Sequence, residues 1–186
     1  MANRRNHYEA AYEAFIRAHR VPCVAVDEAK RAFFGEDGLK NPDFILYPRL
    51  GLNLVVEVKG KKGKDHRGRR PWENWVTTDD LDGLARWQEM FGPGFRAILA
   101  FAYAESLPSF PLPPGGGAFE FRGLAYRFWA VELDDYVQHL RSRGPAWKAV
   151  AMARAEFRRR VRPLREWLPM TAEATKRPKP LEDRRR

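Results

Sequence analysis

A chain of 186 residues with 44% hydrophobic and 13% aromatic side chains can bury a core as one domain and is too apolar to be disordered overall. No charged segment followed by an apolar stretch appears in MANRRNHYEAAYEAF, and no apolar run approaches a membrane span, so a cytoplasmic protein without a membrane partner is expected. The formal charge of +10 is uneven: Arg141 to Arg186 holds 15 basic residues against 5 acidic ones, and the remainder balances, which points to a polyanionic partner such as nucleic acid.

In chain order, NHYEAAYEAFIRAHR places Tyr8, Tyr12, Phe15, Ile16 and His19 at helical spacing, with Asn6 as N-cap and Glu9 three residues later, and predicts a helix from about His7 to Arg20. Val21 to Val26 reads as a buried strand, and DEAKRAFFG as a short helix capped by Asp27 and stopped by Gly35. Cys23, the one cysteine, excludes an internal disulfide and reads as a small buried hydrophobe. FILY and NLVVEV, joined by PRLG, predict a hairpin. GKKGKDHRGRRPWENW carries no period and predicts a long exposed basic loop. A helix beginning at Thr78 or Asp79 runs through Leu81, Leu84, Trp87, Gln88 and Phe91 to the GPG stop, and RAILAFAYA is a strand. SLPSFPLPPGGG is a linker, FEFRGLAYRFWAVEL a second hairpin turning near Gly123, and two helices are expected from Asp134 to about Arg143 and from about Pro145 to Val161. These elements predict an α/β fold, a mixed central β-sheet flanked by helices, with residues 1–133 as the core, 134–169 as a basic C-terminal extension of helices and 170–186 as a disordered basic tail.

The chemistry concentrates where the first hairpin ends. Alternation puts Glu57 and Lys59 on one face of their strand with Val58 on the other, and a hairpin brings Asp43, at the entry of the first strand, to the exit of the second. Two adjacent carboxylates repel unless a cation lies between them, and hard oxygen donors suit Mg²⁺ or Mn²⁺ rather than zinc. Either fragment alone is an ordinary surface or turn. Together, at the ends of consecutive apolar strands, they point to a site. The four histidines show no pair at ligand spacing, no GxxxxGK[ST] phosphate loop occurs, and no serine nucleophile is supported.

The PDF at 42–44 and the EVK at 57–59, with thirteen residues between Asp43 and Glu57, resemble the PD-(D/E)XK nuclease superfamily of restriction-endonuclease-like fold. The order of Glu9 in a first helix, Asp43, the EVK triplet, a basic loop, a helix and a strand is similar to the archaeal Holliday-junction resolvases, over about Asn6 to Tyr103. The resemblance implies a metal-dependent phosphodiesterase in which Asp43, Glu57 and the carbonyl of Val58 hold Mg²⁺ or Mn²⁺, Lys59 sits beside the attacking water, and Glu9, or Glu13 one helical turn on, completes the acidic cluster. Gln88 resembles a polar helix residue that related nucleases keep near the site.

Between Lys59 and Arg70 seven basic residues face one acid, Asp65. Lys61, Lys62, Lys64, Arg67, Arg69 and Arg70 are the expected phosphate contacts, and Trp72 and Trp75 can stack on bases or pack as lids. The expected function is hydrolysis of DNA, branched or otherwise structured, with RNA as a second substrate class. The alternative is a silent or partner-dependent nucleic-acid-binding module of the same fold. Trp147 and Phe157 facing a second chain would make a homodimer.

Overall fold

The asparagine ahead of the first helix does what its position predicts. In the computed structural model, which describes residues 6–27, 32–34, 37–62, 73–105, 117–144 and 148–168, the Asn6 side chain accepts from the Tyr8 amide and caps α1 (His7–Ala18). Ala11, Tyr12 and Ile16 form its buried stripe. β1 (Cys23–Ala25) follows, with Cys23 partly buried against the same layer.

Among its described residues, the segment after Asp27 expected as a helix is not helical. The described residues of that segment form a two-stranded antiparallel ribbon of β2 (Ala32–Phe34) and β3 (Asp37–Leu39), with Phe33 opposite Gly38. So short a helix is marginal in water, and adjacent aromatics favour extended pairing.

β4 (Phe44–Leu46) and β5 (Asn53–Lys62) make the expected hairpin, with Phe44 opposite Val56. β5 runs past the predicted end at Val58 into what reads as loop, because its alternation continues through Gly60 and Lys62. Gly60 is required there: a Cβ would lie 2.1 Å from Cδ2 of Tyr8, whose ring covers the backbone.

β6 (Val76–Thr77) leads into α2 (Thr78–Phe91), then β7 (Phe95–Glu105), and β8 (Phe119–Phe121) turns into β9 (Leu124–Glu132). That turn, at Arg122 and Gly123, has φ of 51° and 76°, the type I′ geometry of a two-residue hairpin. The main sheet has the order β1-β4-β5-β7-β9, with β8 also on β9. β5 and β7 are parallel and the other pairs antiparallel. A parallel pair needs a crossover, and α2 provides it.

The sheet separates two apolar layers. Leu54, Val56 and Val58 of β5 and Ile98, Ala100 and Ala102 of β7 face α1. Val55, with Leu99, Phe101 and Tyr103, faces α2 through Leu81 and Leu84.

The C-terminal part departs furthest from expectation. α3 (Leu133–Val137) is one short turn of helix without a side-chain cap, followed by strand β10 (Leu140–Gly144), and β11 (Ala149–Met152) lies inside the second expected helix. β10, β11 and β6 form a three-stranded sheet because Ala149 and Val150 find the open edge of Val76 and Thr77. α4 (Arg154–Arg160) is the helical remainder, and β12 (Arg162–Pro163) joins the main sheet at β9 before a 3₁₀ turn (Leu164–Trp167). Phe157 and Val161 enter the α2-side layer, and Leu164 and Leu168 the α1-side layer. Among the described residues no helix is long and apolar enough to cross a membrane. The expected linker at 106–116 and tail at 170–186 lie outside the described residues.

Candidate functional site

The period of two along β5 builds the site. With Val56 and Val58 committed to the α1-side core, Glu57 and Lys59 must project toward the N-terminal end of α2. The Val58 amide donates to Asp43 Oδ2 at 2.6 Å, tying the entry of β4 to the exit of β5. Both carboxylates are buried, Asp43 at 2% and Glu57 at 3% exposure.

Two residues without a signal of their own in the sequence complete the arrangement. Lys59 Nζ lies 2.8 Å from Glu57 Oε1 and 2.7 Å from Asp80 Oδ2, while Lys40 Nζ lies 2.7 Å from the same Glu57 oxygen and also donates to Asp80 Oδ1. The result is a closed ring of alternating charge: Lys40, Glu57, Lys59, Asp80.

Local structure fixes each member. Asp80 belongs to a capping box at the start of α2: the Thr77 amide donates to its Oδ2 at 2.9 Å, and its own amide donates to Thr77 Oγ1 at 3.2 Å. The Lys40 backbone is seated on α2, its carbonyl accepting from Trp87 Nε1 at 2.9 Å and packing on Gly83, where a Cβ would stand 3.1 Å away.

The ring sets the protonation of its members. Burial alone would raise the Asp80 carboxyl, but Lys59, Lys40 and the Thr77 amide outweigh it and hold the group well below the usual carboxylate range. Burial works against both ammonium groups, and Glu57 and Asp80 overcome it, so Lys40 and Lys59 stand above the ordinary lysine range. Glu57 is the least compensated member: burial pushes it up more than the two lysines pull it down.

Three members of the ring, Lys40, Glu57 and Lys59, form part of the wall of an open cavity of about 910 Å³. Glu9 comes to its lining from α1, its Oε1 accepting from Asn6 Nδ2 at 2.5 Å. Asp43, Val58, Lys59 and Gly60 line the sheet side, and Asp79, Asp82, Gly83 and Arg86 line the α2 side. Five carboxylates (Glu9, Asp43, Glu57, Asp79, Asp82) thus face three basic side chains (Lys40, Lys59, Arg86).

The remaining expected residues go elsewhere. Glu13 pairs with Arg17 at 2.6 Å along α1 and is not part of the cavity lining. Gln88 is not near the site: it lines a second cleft, and its Oε1 accepts from the Ala97 amide at 2.5 Å, so it serves β7. Lys61 is corrected as a phosphate contact. It is 3% exposed, donates to the Trp75 carbonyl at 2.8 Å and holds its ammonium 3.5 Å from the Trp75 ring centre. Trp75 keeps 38% exposure. Lys64, Arg67, Arg69, Arg70, Trp72 and the side chain of Lys62 lie outside the described residues.

Whether a divalent cation fits is a matter of donor chemistry and charge. The donors are hard oxygens and the cavity lining carries an excess of carboxylates, both of which suit Mg²⁺ or Mn²⁺. Among the described residues no three acidic, histidine or cysteine side chains are already drawn together as a metal cage.

No protein-family model and no curated protein sequence matches the chain. Among solved structures, the fold is similar to that of Hjc from Archaeoglobus fulgidus, a Holliday junction resolvase from an archaeal hyperthermophile, at a TM-score of 0.52 and 13% identity over 88% of this chain and 98% of that one. That likeness shows the fold: a mixed α/β architecture with a central mixed sheet flanked by helices.

Proposed function

We propose that the chain is a metal-dependent endonuclease of the PD-(D/E)XK type that hydrolyses phosphodiester bonds in DNA, with branched or otherwise structured duplexes as its substrate class. One observation carries this reading. Glu9, Asp43, Glu57, Val58 and Lys59, drawn from a helix and two strands, line one open and predominantly acidic cavity. The solved neighbour is itself a Holliday junction resolvase, which supports the branched-DNA part.

Asp43, Glu57 and the Val58 carbonyl would hold Mg²⁺ or Mn²⁺, with Glu9 completing the acidic side. A divalent ion held by these residues would supply Lewis-acid chemistry, polarising a phosphoryl oxygen and lowering the pKa of a water. Lys59, kept protonated between Glu57 and Asp80, has no lone pair to accept a proton. Its role is a fixed positive charge that orients the attacking water and stabilises the charge growing on the phosphoryl oxygens. Lys62, Lys64, Arg67, Arg69 and Arg70, which follow the site in the chain, supply phosphate contacts, with Trp72 and Trp75 as stacking surfaces. A homodimer would give two such sites to one junction.

The test is cleavage of labelled linear duplex, single strand, flap and four-way junction, and of matching RNA, with Mg²⁺, Mn²⁺ or EDTA. EDTA-sensitive cutting of junctions that Lys59→Ala or Asp43→Ala abolishes, with binding retained, is the expected result. Wild-type rates in either variant would remove those residues from the reaction. The ring of ion pairs favours a second reading, because Lys40 and Lys59 already satisfy Glu57. On that reading the chain binds nucleic acid and cuts only within a complex, so salt-sensitive binding without cutting would select it.

A further inference from the structure

The two lysines of the ring are not equivalent. Lys59 is 20% exposed at its side chain and Lys40 is 40% exposed. Lys59 extends from the middle of the sheet, whereas Lys40 reaches in from the segment between β3 and β4, and both place their ammonium on the same oxygen, Glu57 Oε1. The backbone of Lys40 is anchored independently of its side chain, through the Trp87 indole and the close approach of Gly83. The ammonium can therefore leave without unseating the chain. Asp80, 3% exposed and held by the Thr77 amide, stays in place whichever lysine moves.

We propose that Lys40 is an exchangeable internal cation: its ammonium occupies the approach to Glu57, and a divalent ion binding to Glu57 and Asp43 releases it from both Glu57 Oε1 and Asp80 Oδ1 into the cavity, while Asp80 Oδ2 retains Lys59. This rests on the metal-dependent reading above. The reason is charge. Glu57 already carries two ammonium partners, and a divalent ion arriving beside them repels both. The more exposed one yields, because water solvates it on release. Released into the cavity, the Lys40 ammonium faces the phosphate side, so one event would fill the metal site and turn a second positive charge toward the substrate.

The test uses the full chain and Mn²⁺ in the absence of nucleic acid, with affinity read by calorimetry for wild type, Lys40→Met and Lys40→Arg. Removing one competing charge is expected to tighten Mn²⁺ binding about tenfold in Lys40→Met, with Lys40→Arg near wild type. Unchanged or weaker binding by a folded Lys40→Met overturns the exchange. No Mn²⁺ binding by wild type or variant removes the metal-dependent reading and the exchange together, whereas wild-type binding that Lys40→Met leaves unaltered removes the exchange alone. If Lys40→Met does not fold, the wild-type protein decides. Mg²⁺ should shift the Lys40 ammonium nitrogen resonance, assigned through Lys40→Arg, and an unmoved resonance at saturating Mg²⁺ overturns the proposal.

Discussion

Asp80 is the residue on which cap, charge and stability meet. It closes the first turn of α2 and compensates two lysines, so Asp80→Ala leaves both short of an anion and opens the capping box. A loss of about 2 to 4 kcal/mol is expected, read from urea unfolding at pH 7. The pH dependence has a definite sign. The folded carboxyl lies below its unfolded value, so its stabilising contribution is full above the unfolded pKa and disappears as the pH falls through the folded one. The gap between wild type and Asp80→Asn should therefore narrow on acidification, and a gap that widens would refute the ring as a source of stability. Gly60 offers a steric test at the same scale. Gly60→Ala drives a Cβ into the Tyr8 ring, at a cost of about 1 to 3 kcal/mol, and Tyr8→Ala should relieve part of it in a double-mutant cycle. Of the residues that line the candidate site, Asp43, Glu57 and Lys59 were legible because a strand period and a proline-aspartate are local signals. Lys40 and Asp80 were not, since they are 40 residues apart and meet only through the crossover. Lys61 had a signal that composition masked: it continues the alternation of Glu57 and Lys59, which marks strand, not loop.

Elements were legible where hydrophobic period and cap agreed. α1 and both hairpins satisfy that condition, with Asn6 as cap and Gly123 in its turn, and α2 was legible from its period and its GPG stop, its Thr77 cap emerging only in the structure. β11 is short, and what decides its conformation is a partner distant in sequence, Val76 and Thr77 of β6, with β10 following as the neighbouring strand of β11; β2 is short as well and pairs locally with β3. Local spacing, which placed Val150, Phe157 and Val161 on one helical face, cannot register an open sheet edge. The consequence for packing is testable. Phe157 is wholly buried and meets Phe101 edge to face at 5.1 Å between ring centres, so Phe157→Ala is expected to cost about 3 to 5 kcal/mol by urea unfolding. The cost should appear as an earlier single transition. A separate, early C-terminal transition would mean that α4 is peripheral.

At the scale of the whole molecule, charge and core divide the chain differently. The basic excess belongs to the last quarter, yet that quarter also supplies Met152, Phe157, Val161, Leu164 and Leu168 to the two apolar layers. A chain ending before Leu140 should therefore fail to unfold cooperatively, whereas removal of 170–186 should leave the unfolding midpoint in place and, on the proposed nuclease function, lower the salt sensitivity of DNA binding. The strand that carries the site also constrains how such a molecule can diverge. Because β5 is committed to core on one face and to the cavity on the other, insertion of a single residue ahead of Glu57 would exchange the faces, burying a carboxylate and an ammonium among Tyr12 and Phe44 and presenting valines to the substrate. Insertion of two would restore the faces but carry Glu57 roughly 6.6 Å away from Asp43. A change of length in the turn at 47–52 leaves the two faces of β5 where they are, whereas a change of length between Asn53 and Lys59 does not.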